Sequence, residues 1–361
     1  MFISNESKGA WKGFPLREPI THRKSAILGR LAKRRTPVTR LHLIRSTCRA
    51  CEARALQPLF SFGQMPLADS LLSSAQLLAR EDTHPLDLAF CRRCSLLQTL
   101  QTVSPALLYD ETYGHFSSSI PGIEERSRRQ VDKLTAAKGL NADSLVIELG
   151  SNDGYLLKHF LARNVPILGI EPAPRQAHAA RRAGVPTLSA FFALELAHYL
   201  RQEGRAADVI IASNVLGKVP DLHGFLAAAR ALLSDDGIVT IESPYVRTLV
   251  DEYALDTIDH AQMSYWGAWS LDQMARSEGM FLNHVEPLTS NPGAMRYQLG
   301  KSDDPSADVL RYLRDERACG LTEVAYYGDF RQKVQAMMAT LAAQSRPTRR
   351  DRLQVAVRPG H

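Results

Sequence analysis

Two pairs of cysteines hold the residue types best suited to bind a metal. Cys48-Arg49-Ala50-Cys51 and Cys91-Arg92-Arg93-Cys94 are two C-x2-C knuckles with 39 residues between them. Tetrahedral zinc takes four thiolates, and each C-x2-C turn presents two from one backbone loop. The separation exceeds the usual spacing of about 15–20 residues, so the metal would close one large loop. Arginines inside the knuckles would favour the thiolate form. Four protein ligands leave no open coordination position, which predicts a structural site. Neither pair opens a helix after a strand, which argues against a redox C-x-x-C. Cys319 stands alone and is expected in the core.

A second set of residues fits a nucleotide-type ligand. The stretch "VIELGSNDGYLL" puts Gly150 and Gly154 between an apolar strand and a helix, where free N–H groups and close backbone approach favour a ligand. The next strand ends in "GIEP", with Glu171 placed to accept from ribose hydroxyls. A third, "IIASNVL", ends with Ser213 and Asn214. Ligands of open α/β sheets bind at that edge, so the three loops are expected to converge. Asn152-Asp153 stands where a dinucleotide fingerprint needs small residues around a pyrophosphate. An acid there repels phosphate and suits the ammonium of an amino acid. Glu148, Asp153 and Glu171 together describe a site for S-adenosylmethionine (SAM) rather than NAD. A helix-capping Asn-Asp turn explains the pair alone, but not Glu171 and Asn214 in register with it. Asn152, Pro172 and Phe192 complete the cofactor candidates.

The third stretch is "DTIDHAQMSYW", residues 256–266. His260 beside Asp259 suggests an acid–base pair, yet Ala261 and Gln262 cannot titrate. Trp266 and Trp269 are expected to fill core rather than line a pocket.

The elements that must position these groups follow a simple rhythm. From about residue 143, short apolar runs alternate with amphipathic helices, which predicts an α/β fold with a parallel sheet covered on both faces. The expected organisation is a basic extension over 1–45 and a loop-rich zinc-binding domain over 46–110. A connecting or lid segment follows over 111–142, then a SAM-binding core over 143–300. A helical segment over 301–345, with a final helix near 320–344, precedes a basic tail over 346–361.

The net charge of +6 is unevenly spread. Residues 1–47 carry +9 and residues 346–361 carry +4, leaving −7 for the centre. Basicity confined to two tails argues for solvated ends rather than a nucleic-acid partner. No apolar run approaches the roughly 20 residues a spanning helix needs, so no membrane partner is expected. Five cysteines, four of them in tight pairs, do not read as a disulfide framework; a cytoplasmic location is the expectation.

The motif order "MPLADSLL", "PLDLAFCRRCSLLQ", "YGHFSSS", "VIELGSNDGYLL", "GIEP", "ASNVLGKVPDLHGFL", "GIVTIESPY", "DTIDHAQMSYW" and "NPGAMRY" resembles the zinc-containing deoxysugar C-methyltransferases over about 46–340. The resemblance implies a class I methyltransferase (Rossmann-like) core behind a small zinc-binding domain, with SAM and structural Zn2+ as cofactors. It also implies a reaction in which a carbon beside a ketone attacks the sulfonium methyl. Several family positions differ here. The second tyrosine of the family's Tyr-x-Tyr is His115 after Tyr113, and the histidine of its Asn-Val-Leu-x-His is Lys218. Its catalytic Glu and His fall on Ala261 and Gln262, and its His-Gly-Gly-Ser on Asn291-Pro292-Gly293-Ala294. The family's further C-terminal lobe has no counterpart in the sequence. The expectation is a SAM-dependent transferase acting on a small metabolite, most simply by methyl transfer. Attack at another sulfonium carbon, or a catalytically inactive binding protein, are the other readings. His260, His115, Tyr113, Lys218 and Asp259 are the candidate catalytic residues.

Overall fold

The computed structural model describes residues 42–68, 74, 77, 81–289 and 291–344. Most of the basic extension, the basic tail and part of "MPLADSLL" lie outside the described residues. The described residues lie in one compact unit.

The cysteine-bearing region is a sheet where the sequence suggested loops. β1 (His42–Ile44) pairs antiparallel with β5 (Gln101–Val103). β2 (Leu56–Met65), β3 (His84–Cys91) and β4 (Leu97–Thr99) form an antiparallel sheet. Its period-2 signal is weak in β2 because the register shifts twice, between Pro58 and Phe60 and between Ser61 and Gln64. The helix α1 (Pro105–Leu108) and a 3-10 turn at Ser117–Ser119 lead to α2 (Ile123–Lys138). Gly139, at φ 61°, closes α2 in the left-handed region that glycine enters without strain.

The rest is a doubly wound sheet. It runs through β6 (Val146–Leu149), α3 (Leu157–Leu161), β7 (Ile167–Ile170), α4 (Pro174–Arg182), β8 (Thr187–Leu188), α5 (Leu194–Gln202), β9 (Ala207–Ser213), α6 (Leu222–Leu232) and β10 (Leu233–Pro244). After α7 (Val246–Asp251), β11 (Ser264–Tyr265) and α8 (Ala268–Ser277) come β12 (Phe281–Pro287) and β13 (Ala294–Gly300). The strand order is β12-β13-β10-β9-β6-β7-β8. The five strands β8, β7, β6, β9 and β10 run parallel, while β13 is antiparallel to both neighbours. β6 and β7 are buried at every position, as strands covered on both faces must be. The order in which strands are added reverses between β6 and β9, and that switch point is where an open α/β sheet leaves a crevice at its carboxyl edge.

Two boundaries differ from the sequence reading. "LSDDG" belongs to β10, whose Leu233 already pairs with Ala207 before a register shift. The final helix, α10, spans Gly328–Gln344, and a separate helix α9 (Ala307–Ala318) precedes it. α9 buries only Val309 and Glu316, so its sequence shows no apolar stripe. Its Glu316 accepts the Ala268 and Trp269 N–H groups and the Tyr245 hydroxyl, which ties α9 to the start of α8.

β11 is a seam. It belongs to the carboxyl-terminal part of the chain yet pairs with β4, completing the order β11-β4-β3-β2. Beneath this sheet, Leu88, Phe90 and Leu97 pack with Leu249 and Val250 of α7 and with Tyr327 and Phe330. Burying large apolar side chains at about 25 cal/mol per Å2 makes such a shared cluster a main source of cohesion. Cys319 is partly buried and packs against the same cluster, and Trp266 is fully buried.

Candidate active site and metal centre

The four cysteine sulfurs come together: all lie within 4.8 Å of one another. Cys48 and Cys94 sulfurs are 3.5 Å apart, as are those of Cys51 and Cys91, far beyond a disulfide bond. The first knuckle precedes β2 and the second follows β3, and the Leu56–Cys91 pairing of those strands brings the knuckles together. Gln98 donates to Cys48 Sγ at 3.2 Å and the Ala50 N–H donates at 3.4 Å, contacts typical of a thiolate. The Cys91 thiol is pushed down to about 2 by hydrogen bonds from Cys48 and Cys94, while burial raises Cys51 to about 12. Four thiolates this close repel one another; a dication among them removes that conflict and admits all four. The donor set fits structural zinc. Of the knuckle arginines, only Arg49 is buried, donating to the carbonyls of Thr99 and Gln101. Arg92 and Arg93 are exposed.

At the carboxyl edge of the main sheet, three strands end in Ile-Glu: Glu148 on β6, Glu171 after β7 and Glu242 on β10. Glu148 is 1% exposed and its Oε2 has no hydrogen-bond partner. Burial, then Glu171, Glu242 and Asp153, raise its pKa well above the usual carboxylate range. Glu171 is also raised by burial, although it accepts the N–H groups of Ala173 at 2.7 Å and Asn152 at 2.8 Å, and Lys218 nearby favours its charged form. The crevice therefore gathers four acidic side chains, of which Glu242 is paired with Arg296 and Glu148 keeps one oxygen without a partner.

The loop between β6 and α3 takes its shape from several left-handed residues: Gly150 (φ 65°), Asn152 (φ 49°) and Gly154 (φ 79°). A Cβ on Gly150 would lie 2.7 Å from a Val215 methyl, and one on Gly154 2.8 Å from a Val185 methyl. The glycines are thus demanded by the chain's own packing as well as by any ligand. Across the crevice, Asn214 also sits at positive φ (55°), its N–H bound to the Glu242 carbonyl. The Ser213 hydroxyl is buried without a partner. Pro172 is half-buried, and Phe192 stacks edge-on with Phe225 at 5.6 Å.

Segment 113–119 crosses this loop. The Ser117 N–H donates to Asn152 Oδ1 at 2.9 Å, and the Ser118 N–H to Asp153 Oδ2 at 3.3 Å. Asp153 Oδ1 remains buried and unpartnered. Tyr113 and His115 thereby come to the crevice, their rings 6.3 Å apart.

The stretch 256–266 has a different character. Asp259 Oδ1 accepts the Ala261 and Gln262 N–H groups, a turn-holding role. His260 is 2% exposed and its Nε2 faces the carbonyls of His84 and Pro85 at 3.3 and 3.2 Å, on the zinc-sheet side. Burial lowers its pKa, and an Nε2 that faces two carbonyls must carry the proton it donates. Gln262 alone turns toward the crevice loop, and its amide donates to the Ser264 carbonyl at 3.0 Å. It lies so close to Gly217 that a Cβ there would be 1.9 Å from Nε2. The structure thus groups Lys218, Tyr113 and His115 with the cofactor candidates and sets His260 and Asp259 apart from them.

Sequence reasoning overlooked Glu242, which accepts from Arg296 at 3.0 Å, and Gln176. The repeated Ile-Glu strand endings were the available signal for the first. A glutamine among alanines one turn into a helix was the only signal for the second.

Comparison with known proteins divides the chain into two matched parts. Residues 48–109 match the family described as "Putative zinc binding domain", and residues 123–282 match "Methyltransferase domain". The chain therefore carries a methyltransferase domain behind a zinc-binding-type domain. The chain is 28% identical to C-methyltransferase NovU of Streptomyces niveus over 331 residues, which is 87% of this chain and 79% of that protein. Among solved structures, the CcbJ methyltransferase of Streptomyces caelestis aligns over 52% of this chain and 99% of its own, at 15% identity and a TM-score of 0.40. The PH0226 protein of Pyrococcus horikoshii OT3 aligns over 52% of this chain and 95% of its own, at 12% identity and a TM-score of 0.41. Among the described residues no helix is long and apolar enough to cross a membrane.

Proposed function

We propose that this methyltransferase transfers the SAM methyl group to a carbon of a small metabolite, as the name of its Streptomyces niveus relative suggests for that protein. The observation that carries the reading is the buried, unpartnered Glu148 carboxylate among Glu171, Glu242 and Asp153. That environment favours a ligand with positive charge over a phosphate-bearing one. Glu171 would accept from the ribose, Asp153 would face the ammonium, and Phe192 would pack beside the base. SAM when bound supplies an electrophilic methyl on a sulfonium. This chain's residues then have to align an acceptor carbon and take its proton.

In this reading the base comes from segment 113–119 or from Lys218. Ala261 has no titratable group, Gln262 is bound to the Ser264 carbonyl, and His260 is turned to the carbonyls of His84 and Pro85. An acceptor carbon that ionises easily suits such a site best. His115, exposed at the crevice, is the leading candidate for proton transfer, with Tyr113 beside it. Zinc would stay structural, since its four sulfur ligands leave no place for substrate.

The test is incubation with SAM and candidate acceptors, followed by identification of the sulfur product. S-adenosylhomocysteine is expected. Methylthioadenosine would instead mean attack on the aminobutyryl chain, and the absence of SAM binding by calorimetry would remove the proposal altogether.

A further inference from the structure

Gln176 lies in the first turn of α4, three residues past Ala173, whose N–H binds Glu171. It is fully buried. Its Nε2 donates to the carbonyls of both Tyr113, at 3.1 Å, and His115, at 3.0 Å. A second contact comes from the opposite side of the segment: Asn152 Nδ2 donates to the same His115 carbonyl at 3.2 Å. Asn152 also spans to the cofactor side, since its own N–H is held by Glu171. Next to Gln176, exposed Arg175 lies over the Phe116 ring at 5.7 Å.

We propose that Gln176 is a positioning residue that latches segment 113–119 over the SAM crevice, with Asn152 linking the latch to Glu171. The Ser117 and Ser118 N–H groups also hold the segment, through Asn152 and Asp153, while its 3-10 turn buries no residue. Two carbonyls separated by one residue point at one amide, which fixes the direction of the intervening backbone and hence where the Tyr113 and His115 side chains stand. α4 therefore does two jobs at once. Its N-terminal approach orients the Glu171 carboxylate, and its first turn holds the segment that closes over what Glu171 binds. Because Asn152 touches both, cofactor on Glu171 and closure of the segment reinforce each other. The latch rests on the SAM reading of the crevice for its purpose, but its existence can be tested without any ligand.

Hydrogen–deuterium exchange of the full chain, ligand-free and with SAM, reads the segment directly. Gln176→Met keeps the side-chain length and removes both donors, and Gln176→Glu does the same with near-identical shape. Loss of two hydrogen bonds should speed exchange in peptides covering 113–119 by roughly tenfold in both variants, while peptides covering 84–99 hold their rate. Arg175→Ala, on the surface and safe for folding, should speed the same peptides by about twofold to threefold. In the SAM-bound state, protection of 113–119 should rise for the unaltered chain and far less for either Gln176 variant. Unchanged exchange in 113–119 for all three variants would overturn the latch, as would an equal rise across 84–99. If the unaltered chain fails to bind SAM while the ligand-free pattern holds, the latch stands and the cofactor reading falls.

Discussion

The loop after β6 and the stretch before β11 both carry acids and polar side chains beside the same crevice, yet they spend them differently. Around residues 148–154, polar atoms are left over: Glu148 Oε2, the Ser151 hydroxyl and Asp153 Oδ1 are buried without partners. Around 259–266, Asp259, His260 and Gln262 are bound within the chain, to two N–H groups, two carbonyls and one carbonyl respectively, and only the neutral Ser264 hydroxyl and Trp266 N–H are left over. Desolvating polar groups without compensation costs about 1–3 kcal/mol each, so a fold keeps such a cluster only where something else compensates it. In the proposed reading, the first region is built around a ligand. The second is built around the seam that joins the zinc sheet to the main sheet. Residue type suggests a catalytic His260; the carbonyls it faces give it a structural partner as well.

The largest test of that contrast strikes the seam from its far side. Cys91→Ser removes one zinc ligand at the end of β3, and structural zinc supplies on the order of 10 kcal/mol in small domains. Loss of near-stoichiometric zinc is expected, together with a fall in thermal midpoint of more than about 10 °C. Because Leu88, Phe90 and Leu97 share one cluster with α7 and Phe330, melting should remain a single transition. Separate melting of the zinc sheet with SAM affinity intact would show that the seam does not couple the two sheets.

Glu148→Gln tests the other region, and here function and stability should part company. SAM affinity should fall by about 10–100-fold by calorimetry, while the thermal midpoint holds or rises. The pH dependence has a definite sign. Burial raises the folded-state pKa of Glu148, so the ligand-free fold binds more protons there than the unfolded chain does. Stability is then full at low pH and is lost as pH climbs through and above the ordinary carboxylate range. A cationic ligand reverses the shift, so SAM binding should release protons, visible as a dependence of binding enthalpy on buffer. A variant that binds SAM as before and keeps the proton release would remove Glu148 from the site.

Gly217→Ala addresses the join between the regions. A Cβ 1.9 Å from Gln262 Nε2 and 2.7 Å from the Ser264 carbonyl cannot be accommodated in place. A loss of about 2 kcal/mol is expected, read by denaturant unfolding. Gln262→Ala in the same chain should recover roughly half of it, because the side chain is removed and the carbonyl is not. Strict additivity of the two changes would mean that Gln262 does not fill this space.

How much of this was legible beforehand depends on how each element earns its place. The central strands announce themselves because burial on both faces requires unbroken apolar runs such as Val146-Ile147 and Ile167-Leu168. The cysteine pairs announce themselves because zinc geometry fixes their local spacing. β2 was hidden by two bulges and by Pro58 and Gly63, and α9 by having just two buried side chains. β11 could not be read at all: two residues have no period, and their pairing with β4 depends on contacts more than 160 residues apart in sequence. For the site, the chemistry of Glu148, Asp153 and Glu171 was legible from their position after strands. The direction in which His260 faces was not, because it is set by the carbonyls of a different sheet.

The smallest expected effect belongs to His260→Ala. The substitution leaves the His84 and Pro85 carbonyls without their donor and opens a small void, a cost of about 1–2 kcal/mol and a few degrees in thermal midpoint. SAM affinity should stay within about twofold. Burial lowers this histidine's folded-state pKa, so its contribution is present above the ordinary histidine range and is lost as pH falls through it. That sign is opposite to Glu148, and it gives the two regions separate signatures in one stability–pH curve: the acid-side slope should shrink in His260→Ala and the alkaline-side slope in Glu148→Gln. If His260→Ala instead abolishes turnover while both slopes and the midpoint stay put, the histidine acts on substrate and the division drawn between the two regions is wrong.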